Sequence, residues 1–412
     1  MKGKRLVFLA PGCDNQHLMK EMGLFPFYLK IIHGFDAKVL TYYHGPYPYL
    51  DNELRDLKIE FLEKNLFRFF KTDFSILKYI FKNSKKIDFF CLKTLTRENL
   101  IYVFVYKVLN PSGRSYLKLD SDEGIFVNSI IKYNINKFIY SFFLKAVDLF
   151  SIETLGLFNQ LKEKHYDVFG NKISYIPNTI FVKTSPEFFN DNPVETNRLR
   201  KLPLLEGVIS PLAKPICDSN GYRERGCILK KEKIILMVAS IGEKQKAAEV
   251  LLSSFLEVNR LDWKLVFAGP ISNNFDKFVY EKIKNSRLKN NVTLTGLIQD
   301  RDYLKHLYSQ SAIFCLPSRW ESFGIVLIEA ASQGCFIVTS DLPAACDITN
   351  NWAYAMKIRP GNHEDLCRAL RVATDETNFD KIIESGRQLS LHFERHYSPE
   401  VVISSLHKKL IM

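Results

Sequence analysis

The chain has 412 residues, 46% of them apolar and 25% charged, with no excess of glycine or proline. That is a soluble globular composition with enough length for two domains, and it excludes a disordered or fibrous chain. No run of eighteen apolar residues occurs, so no helix is expected to cross a bilayer, and a net charge of +12 calls for a basic surface somewhere.

Met1 to Cys13 imitates a short signal peptide ending at a lipid-accepting cysteine, but its apolar stretch, Leu6 to Ala10, is too short for a signal core. It reads instead as a first strand, Arg5–Ala10, running into a Pro11-Gly12 turn where the backbone can approach a ligand. Further strands are expected at Ala37–Tyr43, Lys58–Leu62, Tyr116–Asp120, Leu149–Glu153 and Ile173–Ile176.

Residues 64–107 carry ten Lys/Arg against three acids, interleaved with Phe67, Phe69, Phe70, Phe74, Ile76, Leu77, Tyr79, Ile80, Phe81, Phe89 and Phe90. Basic heads beside aromatics suit an anionic membrane surface. The same pattern also fits a core-packing helix with a basic outer face, and a basic patch by itself does not exclude nucleic acid. No nucleic-acid-binding motif accompanies it, and no nucleic-acid partner is expected. Asp120-Ser-Asp122 imitates a metal-binding D-x-D, but two carboxylates make an incomplete site. Asp122 is kept as a candidate contact for a sugar or acceptor, and no metal is expected.

Residues 183–230 contain five prolines (Pro186, Pro193, Pro203, Pro211, Pro215) and no sustained period, as in a linker or insertion. Beyond them, apolar runs at Ile234–Ala239, Leu265–Gly269, Val292–Gly296, Ile313–Pro317 and Phe336–Ser340 alternate with helical patterns. One such pattern is Ala247–Val258, with Ala248, Leu251, Leu252 and Phe255 on one face. Buried strands alternating with helices predict a doubly wound parallel sheet. After Asn378 the chain is helical again, with Ser398-Pro399-Glu400 starting a last helix. The expected organisation is 1–182, a first Rossmann-like domain; 183–230, the linker; 231–378, a second; and 379–412, a helical tail crossing back to the first.

Eight cysteines (Cys13, Cys91, Cys217, Cys227, Cys315, Cys335, Cys346, Cys367) form no C-x-x-C pair, which favours a reduced, cytosolic setting. His17, His33 and His44 lack ligand spacing. The most informative segment is Arg319-Trp-Glu-Ser-Phe-Gly-Ile-Val-Leu-Ile-Glu-Ala-Ala-Ser-Gln-Gly334. Ser322 reads as an N-cap and Gly334 as the helix stop. The first turn of such a helix suits a diphosphate, while Glu321 and Glu329 on either side could hold sugar and ribose hydroxyls. Glu329 sits in an otherwise apolar helix, where a carboxylate requires partners. The outline is that of a nucleotide-sugar site.

Pro317-Ser-Arg-Trp-Glu321-Ser-Phe-Gly-Ile-Val-Leu-Ile-Glu329-Ala resembles the E-x7-E signature of the retaining family-4 glycosyltransferases. Ile234–Leu252 and Asn291-Val-Thr-Leu-Thr-Gly296 are also similar to that family. Ile176-Pro-Asn178 and Tyr116-Leu-Lys-Leu-Asp120 are weaker matches. The resemblance implies an α/β GT-B fold, two Rossmann-like domains facing a cleft. It also implies a hexosyltransferase-type enzyme acting with retention of anomeric configuration.

By the resemblance, Glu321 contacts the donor sugar and Glu329 the ribose, and Lys246 is the phosphate-binding lysine. Ser322, Phe323, Gly324, Ile325 and Val326 line the diphosphate and sugar, and Gly12 matches a glycine-rich turn. Ser240 stands where many members have arginine, so Lys244 or Lys230 would have to supply the missing cation. No cofactor is expected; the donor is a nucleotide-diphosphate sugar, UDP- in preference to GDP-linked. The acceptor is expected to be a lipid-linked or membrane-surface glycan, with the protein peripheral at the cytoplasmic face of an anionic membrane. A non-catalytic nucleotide-sugar-binding subunit and a nucleotide-sugar epimerase are the alternatives.

Overall fold

The computed structural model describes residues 3–63, 68–69, 72–119, 142–182 and 230–412. Asp122 and nearly all of the 183–230 segment lie outside these residues. Two parallel sheets organise the chain. The first contains β1 (Arg5–Leu9), β2 (Asp36–Thr41), β3 (Lys58–Phe61), β4 (Phe89–Lys93), β5 (Arg114–Lys118), β6 (Leu149–Ile152) and β7 (Ile173–Tyr175). The second contains β8 (Glu232–Val238), β9 (Lys264–Ala268), β10 (Val292–Leu294), β11 (Ser311–Leu316), β12 (Phe336–Ser340) and β13 (Ala355–Ile358). The spatial orders are β3-β2-β1-β4-β5-β6-β7 and β10-β9-β8-β11-β12-β13.

Both sheets therefore run outward from their first strand and then reverse, as doubly wound folds do. The reversal falls between β1 and β4 in one domain and between β8 and β11 in the other. Leu236 of β8 faces Val266 on one side and Phe314 on the other. Helices cover both faces, so the central strands are apolar along most of their length, while the edge strands β3 and β13 are not. Alternate residues of β1 serve opposite layers: Leu6 and Phe8 one core, Val7 and Leu9 the other.

The helices used below are α1 (Glu21–His33), α2 (Phe74–Asn83), α3 (Arg97–Leu109), α4 (Leu155–Lys164), α5 (Ala248–Val258), α6 (Asn273–Ile283), α7 (Arg301–Gln310), α8 (Ile325–Ser332), α9 (Pro343–Ile348), α10 (His363–Ala373), α11 (Phe379–His396) and α12 (Pro399–Ile411). The tail does cross back: α12 packs against α1, and Val402, Ile403, Leu406 and Leu410 complete one core of the first domain. Where the tail crosses, Thr179 Oγ1 donates to the Tyr397 carbonyl at 2.7 Å. Elsewhere the Leu155 N–H at the start of α4 donates to Asp347 Oδ2 of α9 at 2.6 Å.

Two strands of these parallel sheets escaped the sequence reading, as did the short antiparallel pair Arg68–Phe69 and Thr72–Asp73. Phe89–Lys93 was absorbed into the basic aromatic segment, yet β4 adjoins β1 and buries Phe89 and Phe90. Ala355–Ile358 is an edge strand with only its last residue buried, so its apolar signal is weak.

Candidate functional site

The second sheet reverses between β8 and β11, and the loops leaving their carboxyl ends are 239–247 and 317–324. Crevices at such switch points bind ligands. The two loops are stitched together. The Arg319 N–H donates to the Gln245 carbonyl at 2.8 Å, and Gln245 Nε2 returns a bond to the Trp320 carbonyl at 2.9 Å. The Arg319 guanidinium also donates to the Lys244 carbonyl and pairs with Glu249 of α5 at 2.8 Å.

Within this frame Lys246 Nζ donates to Glu321 Oε1 at 2.7 Å, and Ser318 Oγ donates to the same oxygen at 2.8 Å. The Glu321 side chain is 9% exposed and that of Lys246 19%. An ammonium and a carboxylate are thus held at the mouth of the crevice, next to the start of α8.

α8 begins differently from the sequence expectation. Gly324, at φ +71°, is its N-cap, not Ser322, and it caps with no side-chain bond. Ser322 is exposed and Phe323 is buried in the domain core. Physically, the chain must reverse sharply to leave β11 and enter α8, and the left-handed backbone that this requires favours glycine. Ile325 and Val326 form the first turn. The far end matches the expectation: Gly334 is left-handed, its N–H bonds the Ala331 carbonyl, and Cys335 N–H bonds the Ala330 carbonyl.

Glu329, 12% exposed, has the partners its burial demands. Arg301 Nη2 donates to Oε1 at 2.6 Å and Tyr308 Oη to Oε2 at 2.9 Å, both from α7. The Glu329 carboxylate strengthens the hold of the Arg301 guanidinium on its proton; burial first, then Glu329, raises the Tyr308 phenol. Burial first, and the Arg301 charge against it, act on the pKa of Tyr49 in the first domain, which is raised. Arg301 and Tyr308 were not legible as site residues, because their partner Glu329 lies 28 and 21 residues away on another element; Ser318 is only three residues from Glu321, but a serine in a loop gives no signal of its own.

Ser240 lies in the loop two residues past the end of β8 and is half-buried, and Lys244 is exposed in the turn before Lys246. Lys230 precedes β8, at the amino edge of the sheet, and cannot serve the crevice; Lys244 remains. Gly12 lies at the carboxyl end of β1, the first sheet's own switch point. Nothing lies within 4 Å of a Cβ built there and its φ is not left-handed, so the fold itself does not demand glycine.

The first domain gathers charge at the corresponding edge. Lys118, the buried last residue of β5, pairs with Glu153 at 3.1 Å, and Asn178 Nδ2 donates to the same Oε2 at 2.6 Å. Lys93, last in β4, pairs with buried Glu21 of α1. The two weaker sequence matches, around Lys118 and Asn178, thus meet on Glu153.

Fold and site together define the GT-B class: two facing Rossmann-like α/β domains. Residues 219–388 match the glycosyl transferases group 1 family, and this part of the chain is a domain of that family. An uncharacterized glycosyltransferase of Methanocaldococcus jannaschii is 28% identical over 159 residues, 38% of this chain and 40% of that protein. A protein encoded in the cps region of Klebsiella pneumoniae is 24% identical over 149 residues, 36% of this chain and 38% of that one. The match thus spans about two-fifths of the length of these relatives.

Among solved structures, a glycosyltransferase from Rickettsia africae superposes with a TM-score of 0.68 at 17% identity, covering 100% of this chain and 98% of that one. Anabaena HepE in complex with UDP and glucose gives 0.66 at 13%, covering 98% and 99%. These likenesses define the fold.

Proposed function

We propose that the protein is a retaining, family-4-like glycosyltransferase that moves a hexose-type sugar from a nucleotide-diphosphate sugar, UDP-linked, to an acceptor hydroxyl. The observation that carries this reading is the Lys246–Glu321 pair, held at the switch-point crevice beside the first turn of α8. As the sugar–phosphate bond breaks, negative charge grows on the leaving diphosphate. Lys246 and the α8 first turn stabilise that charge without reorganising. The acceptor oxygen bonds the anomeric carbon from the face the phosphate leaves, and its proton passes to a leaving-group oxygen. No separate base and no metal are required by that route. Glu321 holds the sugar and Glu329 the ribose. The HepE complex with UDP and glucose supports a UDP-linked donor.

The acceptor is lipid-linked or presented at an anionic membrane surface. α2 supports this: Phe74 and Phe81 are 51% and 63% exposed, and Lys78 lies between them on the same helix face. Lys82, Lys85 and Lys86 are exposed beside them. Other bulky apolar residues of the segment divide differently, since Ile76, Tyr79, Ile80, Phe89 and Phe90 are core.

A thermal-shift screen across UDP- and GDP-sugars tests the donor, because a ligand at a hundred times its Kd stabilises by about 2.7 kcal/mol. A UDP-sugar should raise the Tm, and its hydrolysis or transfer should vanish in Glu321→Ala. Binding without turnover by the unaltered protein would instead indicate a non-catalytic subunit. Flotation with anionic vesicles should show binding that weakens with salt and is reduced in Phe74→Ser/Phe81→Ser.

A further inference from the structure

Apart from the donor crevice, α5 and α10 pack against each other, and three lone-pair donors converge in the seam between them. His363 and Cys367 are four residues apart on α10, hence on one face. Glu257 reaches across from the last turn of α5. His363 Nε2 lies 3.6 Å from Cys367 Sγ and 3.6 Å from Glu257 Oε2. All three ligand atoms lie within 4.8 Å of one another.

The nitrogen–oxygen separation is too long for a hydrogen bond. It falls in the range a shared ion would set, since metal–ligand distances of about 2.0–2.3 Å put neighbouring ligand atoms about 3.3–3.8 Å apart; Cys367 Sγ lies 3.6 and 3.9 Å from the two ring nitrogens, so the imidazole must turn to aim one of them at such an ion. The other Glu257 oxygen, Oε1, accepts from Arg371 Nη2 at 2.7 Å, which orients the carboxylate and leaves Oε2 available. Cys367 is nearly fully buried, with the Glu257 carboxylate beside it.

We propose that Glu257, His363 and Cys367 form a binding site for a zinc-class divalent ion, with three protein ligands and a fourth position open to water. Thiolate, imidazole and carboxylate together favour zinc-like ions over magnesium or calcium. The ion clamps α5 to α10. It stands apart from the donor chemistry: Glu249, which anchors Arg319, is eight residues earlier on α5, about 12 Å along the helix.

The test is a Co(II) titration of the full chain after chelator and reductant treatment, followed by Zn(II) competition. One equivalent of Co(II) should produce a thiolate-to-cobalt charge-transfer band, and Zn(II) should abolish it. Cys367→Ser should remove the band, while His363→Ala and Glu257→Gln should weaken binding roughly tenfold or more. Cys346→Ser, outside the cluster, should leave the titration unchanged. Absence of a one-to-one band, or a band that survives both Cys367→Ser and His363→Ala, overturns the site. The two helix variants give independent readings if either fails to fold, and neither reading depends on sugar transfer.

Discussion

Lys246 and Glu321 are 75 residues apart in the chain, yet their side chains meet at 2.7 Å across the line where the second sheet reverses its strand order. The pair is mostly shielded, so removing one member strands the other. Lys246→Met should destabilise the protein by about 1–3 kcal/mol, since among the described residues Glu321 then keeps only the Ser318 hydroxyl. Lys246→Met/Glu321→Gln should recover much of that loss in urea denaturation. Additive single-variant losses would mean the two are not coupled. Transfer by Lys246→Met should fall about 10²–10³-fold.

Arg301 and Tyr308 share the Glu329 carboxylate. Arg301→Leu should cost about 2–3 kcal/mol, below the 3–5 typical of a fully buried pair because Arg301 retains solvent contact. Tyr308→Phe should cost about 1 kcal/mol. Equal losses in chemical denaturation would contradict the dominance of the ion pair.

Gly12 follows β1 at the first sheet's switch point and Gly269 follows β9, next to β8, but they carry different constraints. Gly269 has φ +127°, and a Cβ there would lie 2.0 Å from the Ala239 carbonyl oxygen, next to Ser240. Gly269→Ala should destabilise by about 2–5 kcal/mol through strain and overpacking, and should displace the 239–247 loop. Gly12→Ala meets open space and should change stability by less than about 0.5 kcal/mol. Thermal denaturation of the two variants checks the contrast.

Docking of α12 onto α1 should weaken in acid. His33 and His407 stack at 4.0 Å between ring centroids, against Phe35, with Ser404 and Lys4 adjacent. Burial lowers both pKa values, His407 lowers that of His33 further, and Lys4 lowers that of His407. The folded protein therefore binds fewer protons than the unfolded chain. Stability is retained above about pH 6.5 and declines as pH falls through the lowered folded values. His33→Phe/His407→Phe should flatten the Tm profile between about pH 5 and 7; an unchanged slope would place the dependence elsewhere.

The strand runs were readable because parallel strands buried on both faces must be continuously apolar. Ile234–Ala239 and Phe336–Ser340 overlap the observed β8 and β12 almost completely. Phe89–Lys93 failed that reading because lysines on either side made its aromatics look like part of a surface pattern. Only its place beside β1 distinguishes a core strand from a membrane-facing segment. The start of α8 failed for a local reason: Ser322 has the better capping side chain, but the turn out of β11 needs the left-handed backbone that Gly324 provides.

Periodicity and spacing were sufficient for the alternation of strands and helices, the site helix with its two carboxylates, and the need of Glu329 for partners. Which residues answer that need, Arg301 and Tyr308, depended on the folded chain, as did the bridge from Lys246 to Glu321 and the convergence of Glu257 on His363 and Cys367. Apolar burial is a property of each residue and its near neighbours, so it is written locally along the chain. A charge acquires its partner through contacts between elements far apart in sequence, and those distances exist only once the sheets have wound.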